Sequence, residues 1–141
     1  MDENWLQIHS YEGRGFQPLV IFNGWRVAIL NYMDDLHPEN NKRMERHTKT
    51  DEVFVLARGQ AVLIVGGNYA QVDMIFPQVM EIGKIYNVRV NTWHTILLSR
   101  DASVLIVEEL DTGEQNSEYL DLSAVLHQQV VETARREQIS F

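Results

Sequence analysis

The feature that most constrains the fold is a succession of short runs rich in Val, Ile and Leu, spaced at roughly ten residues from Phe16 to about Asp111. Two of these runs, Glu52–Leu56 (EVFVL) and Ala61–Val65 (AVLIV), are apolar at consecutive positions. A strand with one solvent-facing side would alternate apolar and polar residues, so both faces of these strands are expected to be buried. The pattern predicts an all-β sandwich or barrel, and it allows for a sheet face that a partner chain buries.

The first two runs predict a β-hairpin. Pro18–Phe22 and Trp25–Tyr32 are joined by Asn23-Gly24, a dipeptide that tolerates the positive φ of a tight two-residue turn. Met33–Glu45 is polar and is predicted to be a loop, and a less regular stretch follows Gly66-Gly67-Asn68 and runs to Glu81. Further strands are predicted at Glu52–Leu56, Ala61–Val65, Lys84–Val90, Trp93–Ser99 and Ser103–Glu108.

The last part of the chain changes to a helical period. Apolar residues recur there at Leu122, Val125, Leu126 and Val130. Asp121 or Ser123 is the candidate N-cap. We therefore expect an amphipathic helix over about 121–138, appended to a barrel core over about 16–111, in a single domain of 141 residues.

Composition excludes several classes of function. Twelve Lys and Arg residues against twenty Asp and Glu give a net charge of −8, which argues against nucleic acid and anionic membranes as partners. The chain has no cysteine, so disulfides, thiolate nucleophiles and cysteine-ligated metal sites are ruled out. Any metal or acid–base chemistry must therefore use the five histidines, the carboxylates and the hydroxyls.

The N-terminal residues do not resemble a signal peptide, because no basic segment precedes an apolar stretch. The longest apolar runs, such as Ala61–Val65, are far shorter than the ~18 residues of a membrane-spanning helix. A soluble cytoplasmic protein is the expectation.

Two polar stretches carry residue types that could do chemistry: Glu45–Glu52 and Gly83–His94. Glu45 and His47 are two positions apart and share a face if the segment is extended. His47 and Glu52 would lie on opposite faces of a regular strand, but the polar residues between them can turn the chain. Glu52 also opens an apolar strand, where a carboxylate is costly to bury unless it is paired or bound to a metal.

Each histidine also has a structural interpretation. His47 alone fits a solvated loop residue, and His94 alone fits a hydrogen-bonded core residue. The combined spacing of the two stretches instead favours one pocket that contains His47, Glu52 and His94. We expect the remaining histidines to be solvated or structural, namely His9, His37 and His127.

The first stretch resembles the first motif of the cupin family. The sequence His47-x4-Glu52-x6-Gly59 matches that motif from its second histidine onward, and Glu45 stands where cupins have the first histidine. The glycine that opens the motif is absent, because Glu39 stands near its place.

The second stretch resembles the second cupin motif. Gly83 and His94 have the separation of the motif's first glycine and its histidine. Arg89, Asn91 and Leu98 stand where that motif has proline, glycine and asparagine. The chain is thus similar to small, stand-alone bacterial cupins without an assigned reaction.

The resemblance implies a cupin-type double-stranded β-helix, a jelly-roll barrel, with one divalent metal in its mouth. Carried over by position, the ligands are His47, Glu52 and His94, with Glu45 as a candidate fourth. Imidazole and carboxylate ligands suit Fe, Mn, Zn or Ni. Strand alternation adds Phe54, Leu56, Ile96 and Leu98 as candidate lining residues of the pocket.

Two classes of function fit this site. One is a metal-dependent enzyme that acts on a small polar molecule such as a sugar or an organic acid. The other is a non-catalytic cupin that binds or stores a small molecule, with or without a metal. No base outside the metal set is evident, so no catalytic residue is assigned. The strands with two apolar faces favour a homodimer.

Overall fold

The chain folds into two five-stranded antiparallel sheets and one C-terminal helix, in a computed structural model that describes residues 1–141. No helix in it combines the length and the hydropathy that crossing a bilayer requires. The elements are β1 (Gly15–Phe22), β2 (Trp25–Asn31), β3 (Arg43–His47), β4 (Glu52–Arg58), β5 (Ala61–Val65), β6 (Phe76–Val79), β7 (Ile85–Val88), β8 (His94–Leu98), β9 (Ser103–Glu109), β10 (Ser117–Asp121) and α1 (Ala124–Arg136).

The two sheets differ in what lies on their outer faces. The first has the strand order β1-β2-β9-β4-β7 and is called here the open sheet. The second has the order β10-β3-β8-β5-β6 and is called the covered sheet, because α1 packs on it. The all-β architecture with an added C-terminal helix is confirmed.

Two turns show why particular residues stand where they do. The β1–β2 hairpin turns at the predicted dipeptide, where Asn23 has a φ of 50° and Phe22 pairs with Trp25. Gly59 follows β4 with a φ of +76°, and a Cβ there would lie 2.5 Å from the Cα of Ala102. The tight passage from β4 to β5 therefore requires glycine on both counts.

The prediction of a loop over Met33–Glu45 is partly wrong, because β3 begins inside that range. The strands β6 and β10 are also not predicted from the sequence. β3 is largely charged, yet its charges meet opposite charges on β10. Arg46 and Glu118 are register partners joined at 2.7 Å, and Arg43 and Asp121 are partners at 3.1 Å. Such cross-strand pairs support a polar strand without an apolar pattern.

The C-terminal helix lies within the predicted range, and Ser123 is its N-cap, accepting a hydrogen bond from the Leu126 backbone N–H at 3.2 Å. Its buried side chains complete a cluster on the outer face of the covered sheet. The main members of that cluster are Met44, Val62, Ile64, Leu97, Leu126, Val130 and Ala134. This explains why the run Ala61–Val65 is apolar on both faces.

The interior between the sheets is filled by a second apolar cluster, which includes Leu30, Phe54, Leu56, Leu63, Ile96, Leu98, Val104 and Ile106. The outer face of the open sheet is also apolar. Two rows of register partners run across it, Val20–Val27–Val107–Val53 and Ile29–Leu105–Val55–Ile85. These two rows contain no charged residue, and no element of the chain covers them as α1 covers the other sheet.

Candidate metal centre

A pocket of about 580 Å³ lies between the two sheets. Its apolar lining comes from both sheets and includes Phe16, Leu30, Phe54, Ile96 and Ile106. Phe54 and Ile96 line the pocket as predicted, but the same prediction is wrong for Leu56 and Leu98, which lie in the buried interior cluster instead.

Four predicted site residues meet in this pocket. One ligand atom from each of Glu45, His47, Glu52 and His94 lies within 4.8 Å of the others. Glu45 and His47 come from β3 and His94 from β8, while Glu52 begins β4 of the opposite sheet. Glu45 and His94 are direct register partners, which fixes their side chains beside each other.

The five-residue separation of His47 and Glu52 is explained by a crossing between sheets. After His47 the chain leaves the covered sheet, and it enters the open sheet at Glu52. Thr48 anchors the crossing, because its backbone N–H and its Oγ1 donate to the carbonyl of Asn116 at 2.9 and 3.0 Å. Glu52 therefore faces His47 across the interior.

Both imidazoles converge on one oxygen of Glu52. The Oε1 atom lies 3.2 Å from His47 Nε2 and 2.9 Å from His94 Nε2. All three side chains are buried, with 3–7% of each residue exposed. The outer nitrogens are also held: His47 Nδ1 lies 2.8 Å from Ser117 Oγ, and His94 Nδ1 lies 2.9 Å from the Thr92 carbonyl.

The charges of this cluster depend on one another. Burial alone lowers the pKa of His94 and of His47, but the hydrogen bond and charge of Glu52 outweigh it, so both pKa values are raised. Burial alone raises the pKa of Glu52, but the hydrogen bonds from the two histidines outweigh it and the net shift is downward. The cluster thus favours an ionised Glu52 and protonated imidazoles when no other cation is bound.

Glu45 is the most solvent-exposed member of the four, with 41% of its side chain accessible. Its Oε1 lies 3.8 Å from His47 Nε2 and 3.9 Å from His94 Nε2. The carboxylate that replaces the first motif histidine therefore reaches the same space as the other three residues.

Asn91 stands at the glycine of the second motif and adopts the conformation that glycine favours. Its φ is +64°, in the left-handed region that asparagine tolerates better than most residues. Its backbone N–H donates to the His47 carbonyl at 2.8 Å. The turn before His94 is thereby fastened to the end of β3.

Glu108, in β9, is a site residue that the sequence analysis did not identify. It lines the same pocket and only 5% of it is exposed. Its Oε1 accepts hydrogen bonds from Arg26 Nη2 at 2.8 Å and Arg26 Nε at 3.2 Å. Burial and then the nearby charge of Glu52 raise the pKa of Glu108 to about 8. The sequence does contain a signal for a buried carboxylate here, because Glu108 directly follows an apolar run in the same way that Glu52 directly precedes one.

Other candidates lie elsewhere. Arg89 is mostly exposed and pairs with Asp51 at 3.3 Å. His9 is exposed beside Gln7, and His127 Nε2 donates a hydrogen bond to the Pro38 carbonyl at 2.8 Å. None of these side chains lines the pocket.

The donor atoms fit a divalent cation. Ligands bonded at 2.0–2.2 Å to one ion are about 3 Å apart when adjacent and about 4.2 Å apart when opposite. The contacts of 2.9 and 3.2 Å to Glu52 match the first case, and the distances of 3.8 and 3.9 Å from Glu45 to the two histidines lie between the two values. Two imidazoles with carboxylates are a donor set that Fe, Mn, Zn and Ni accept.

No protein-family model matches the sequence, and no curated protein is significantly similar to it. Solved structures do match, at low sequence identity. Fe(II) HppE matches with a TM-score of 0.52 and 12% identity, over 67% of this chain and 48% of that one. PAC13 from Streptomyces, solved with uridine, matches with a TM-score of 0.51 and 12% identity, over 80% of this chain and 85% of that one.

A cupin-2 domain protein from Shewanella frigidimarina matches with a TM-score of 0.49 and 15% identity, over 70% of this chain and 84% of that one. Two antiparallel sheets packed as a jelly roll around an internal pocket are the arrangement of cupins. The protein therefore has a jelly-roll fold of the cupin type, as its two motifs predict, and the structures of HppE and PAC13 share that fold.

Proposed function

We propose that the protein is a metal-binding cupin that holds one divalent transition metal with His47, Glu52, His94 and Glu45. The observation that carries this proposal is the convergence of two imidazole Nε2 atoms on one buried carboxylate oxygen, at 3.2 and 2.9 Å. The hydrogen bonds at the two Nδ1 atoms support it, because metal-binding histidines are commonly oriented through their second ring nitrogen.

The adjoining pocket is the binding site for a small polar molecule such as a sugar or an organic acid. Its lining combines apolar side chains such as Phe54 and Ile106 with polar groups, among them Arg26, Thr95, Ser117 and Tyr119, as a site for a small polar ligand does. Structures of similar fold contain Fe(II) in HppE and uridine in PAC13, which supports a metal and a small ligand here. When bound, a divalent metal polarises a carbonyl or enediolate oxygen.

A second candidate function is a small-molecule binding cupin that works without a metal. It is favoured by the way in which Glu52 already accepts hydrogen bonds from both histidines. A buried carboxylate that is paired in this manner needs no cation for the protein to fold.

We also infer that a second copy of the chain covers the outer face of the open sheet, giving a homodimer. The two uncharged rows contain eight aliphatic side chains in all, and each row is continuous across four strands. An apolar face of this extent is typical of an interface, and a twofold axis pairs the same face from both copies.

Elemental analysis of protein purified without added metal tests the metal site. We expect about one equivalent of a transition metal in the wild type and a loss of most of it in His47→Ala and His94→Ala. His9→Ala is the matched control, because His9 is exposed and distant from the pocket. Less than about a tenth of an equivalent in the wild type would contradict the metal proposal and leave the metal-free binder.

If metal is present, turnover assays on ketose/aldose pairs and measurements of oxygen uptake test for an enzyme. Saturable thermal stabilisation by a small polar ligand without turnover would favour the binding function.

A further inference from the structure

Glu108 has one oxygen that is held and one that is free. Oε1 accepts both hydrogen bonds from Arg26, whereas Oε2 is buried, no N–H or O–H group of another residue reaches it, and the Glu52 carboxylate lies beside it. Arg26 is itself fixed by a third hydrogen bond, from Nη2 to the Thr112 carbonyl at 3.0 Å. A buried polar atom without a donor is rare in folded proteins and indicates a bound proton, water or ion.

The free oxygen faces His47, beside the four-residue cluster. Glu108 Oε2 lies 3.9 Å from His47 Nε2, which equals the distance from Glu45 Oε1 to His94 Nε2. Glu108 also contacts Glu52, whose charge acts on it directly. Two buried carboxylates in contact repel each other unless a proton or a cation lies between them.

We propose that Glu108 is an additional carboxylate ligand of the metal bound at His47, Glu52 and His94, and that Arg26 positions it through the other oxygen. This inference rests on the metal centre proposed above. It assigns to β9 a part in a site otherwise built from β3, β4 and β8.

The additional carboxylate has a consequence for metal preference. With Glu45, Glu52 and Glu108, the centre offers three carboxylates beside two imidazoles. Oxygen-rich sets suit Mn(II) and Fe(II) better than softer ligand sets do. Mn(II) is therefore the appropriate probe, and its electron paramagnetic resonance spectrum reports the ligands directly.

The experiment is a titration of Mn(II) into chelator-treated full-length protein, followed by calorimetry and by the spectrum of the bound ion. We expect Glu108→Gln to bind Mn(II) at least about tenfold more weakly than the wild type and with an altered spectrum. Glu109→Gln is the matched control, since it makes the same change one residue along β9 at an exposed side chain. It should bind within about twofold of the wild type.

Arg26→Gln tests the positioning role, and Arg26→Lys is its conservative counterpart. We expect weaker Mn(II) binding and an altered spectrum in Arg26→Gln, with partial recovery in Arg26→Lys, because lysine restores a cationic donor to Glu108. A purely structural role for Arg26 would change thermal stability without changing the spectrum of the bound ion.

The outcomes separate the two proposals. If the wild type binds no Mn(II), Fe(II) or Zn(II), the metal centre and the role of Glu108 are both wrong. If the wild type binds and Glu108→Gln binds equally well with the same spectrum, only the role of Glu108 is wrong. Should Glu108→Gln fail to fold, Glu108→Asp keeps the charge but withdraws the oxygen, and unchanged Mn(II) binding by that variant overturns the inference.

Discussion

The open sheet and the covered sheet are built from similar residues but end in different surroundings. Both have strands with apolar side chains on two faces, and both bury one face against the other sheet. The covered sheet buries its second face under α1 within the same chain. The open sheet presents its second face, with Val55 and Leu105 as register partners near its centre, to whatever lies outside the chain.

The sheets also divide the chemistry of the site. The covered sheet supplies both imidazoles, His47 and His94, and the half-exposed Glu45. The open sheet supplies the two buried carboxylates, Glu52 and Glu108. An apolar outer face favours burial in both sheets, by α1 in one and by a proposed second copy in the other. The site, by contrast, exists only where the two sheets meet.

The largest expected effect concerns the uncovered face. Leu105→Asp should convert a dimer into a monomer, because a twofold interface buries the new charge twice, at a combined cost of roughly 4 kcal/mol or more. Light scattering coupled to size-exclusion chromatography measures the mass of each form. Val125→Asp is the control, since Val125 is 69% exposed on α1, away from this sheet. A monomeric wild type at tens of micromolar would contradict the proposed dimer.

The second effect concerns the covered face and is smaller. Val130→Ala should lower the free energy of unfolding by roughly 2 kcal/mol, because it removes two buried methyl groups and leaves a cavity under α1. Val125→Ala makes the same change on the same helix at an exposed position. It should leave stability unchanged or slightly increased, because alanine favours the helix. Equal losses in urea unfolding would show that α1 does not cover the sheet as described.

The third expected effect is the smallest and concerns how the stability of the metal-free protein depends on pH through Glu108, one of the two buried carboxylates of the open sheet. The pKa of Glu108 is raised from 4.5 to about 8, so the folded state keeps a proton that the unfolded state releases. The contribution of Glu108 to the free energy of unfolding is therefore fully present below pH 4.5, and it declines as the pH rises toward 8.

Thermal unfolding in excess chelator measures that decline. We expect the wild type to lose roughly a few degrees of melting temperature between pH 6 and pH 8. His47 and His94 add to the decline, because their pKa values are raised as well. The decline should be smaller in Glu108→Gln, and identical slopes in the two proteins would show that Glu108 does not titrate in this range.

Much of the fold follows from local signals in the sequence. The β1–β2 turn needs only the dipeptide Asn23-Gly24, because asparagine tolerates the positive φ that Asn23 adopts there. β5 has the predicted bounds, because its apolar run is uninterrupted. The motif spacing likewise predicts that His47, Glu52, His94 and Glu45 share a pocket, and the geometry agrees with that expectation. Their binding of a metal stays a prediction.

The rest depends on partners that are distant in the sequence. The charged strand β3 is stable because β10 places Glu118 opposite Arg46, which neither segment reveals alone. Glu108 is buried because Arg26, 82 residues earlier, pairs with it. A local pattern assigns such residues to a solvated loop or a strand end, because it contains no information on which charge will face them.

The strand order of the open sheet has a consequence for how the chain folds. β2 pairs with β9, so that Trp25 meets Glu109 near the far end of the chain. The N-terminal hairpin must therefore wait for most of the chain to be synthesised before its inner neighbour arrives, and such long-range pairing makes folding slow. During that interval the hairpin exposes one unpaired edge of β2, a strand with apolar residues on both faces. The chain is accordingly most prone to aggregation at this stage, because the unpaired strand edge of one molecule can pair with that of another. A low protein concentration during refolding therefore favours the native sheet.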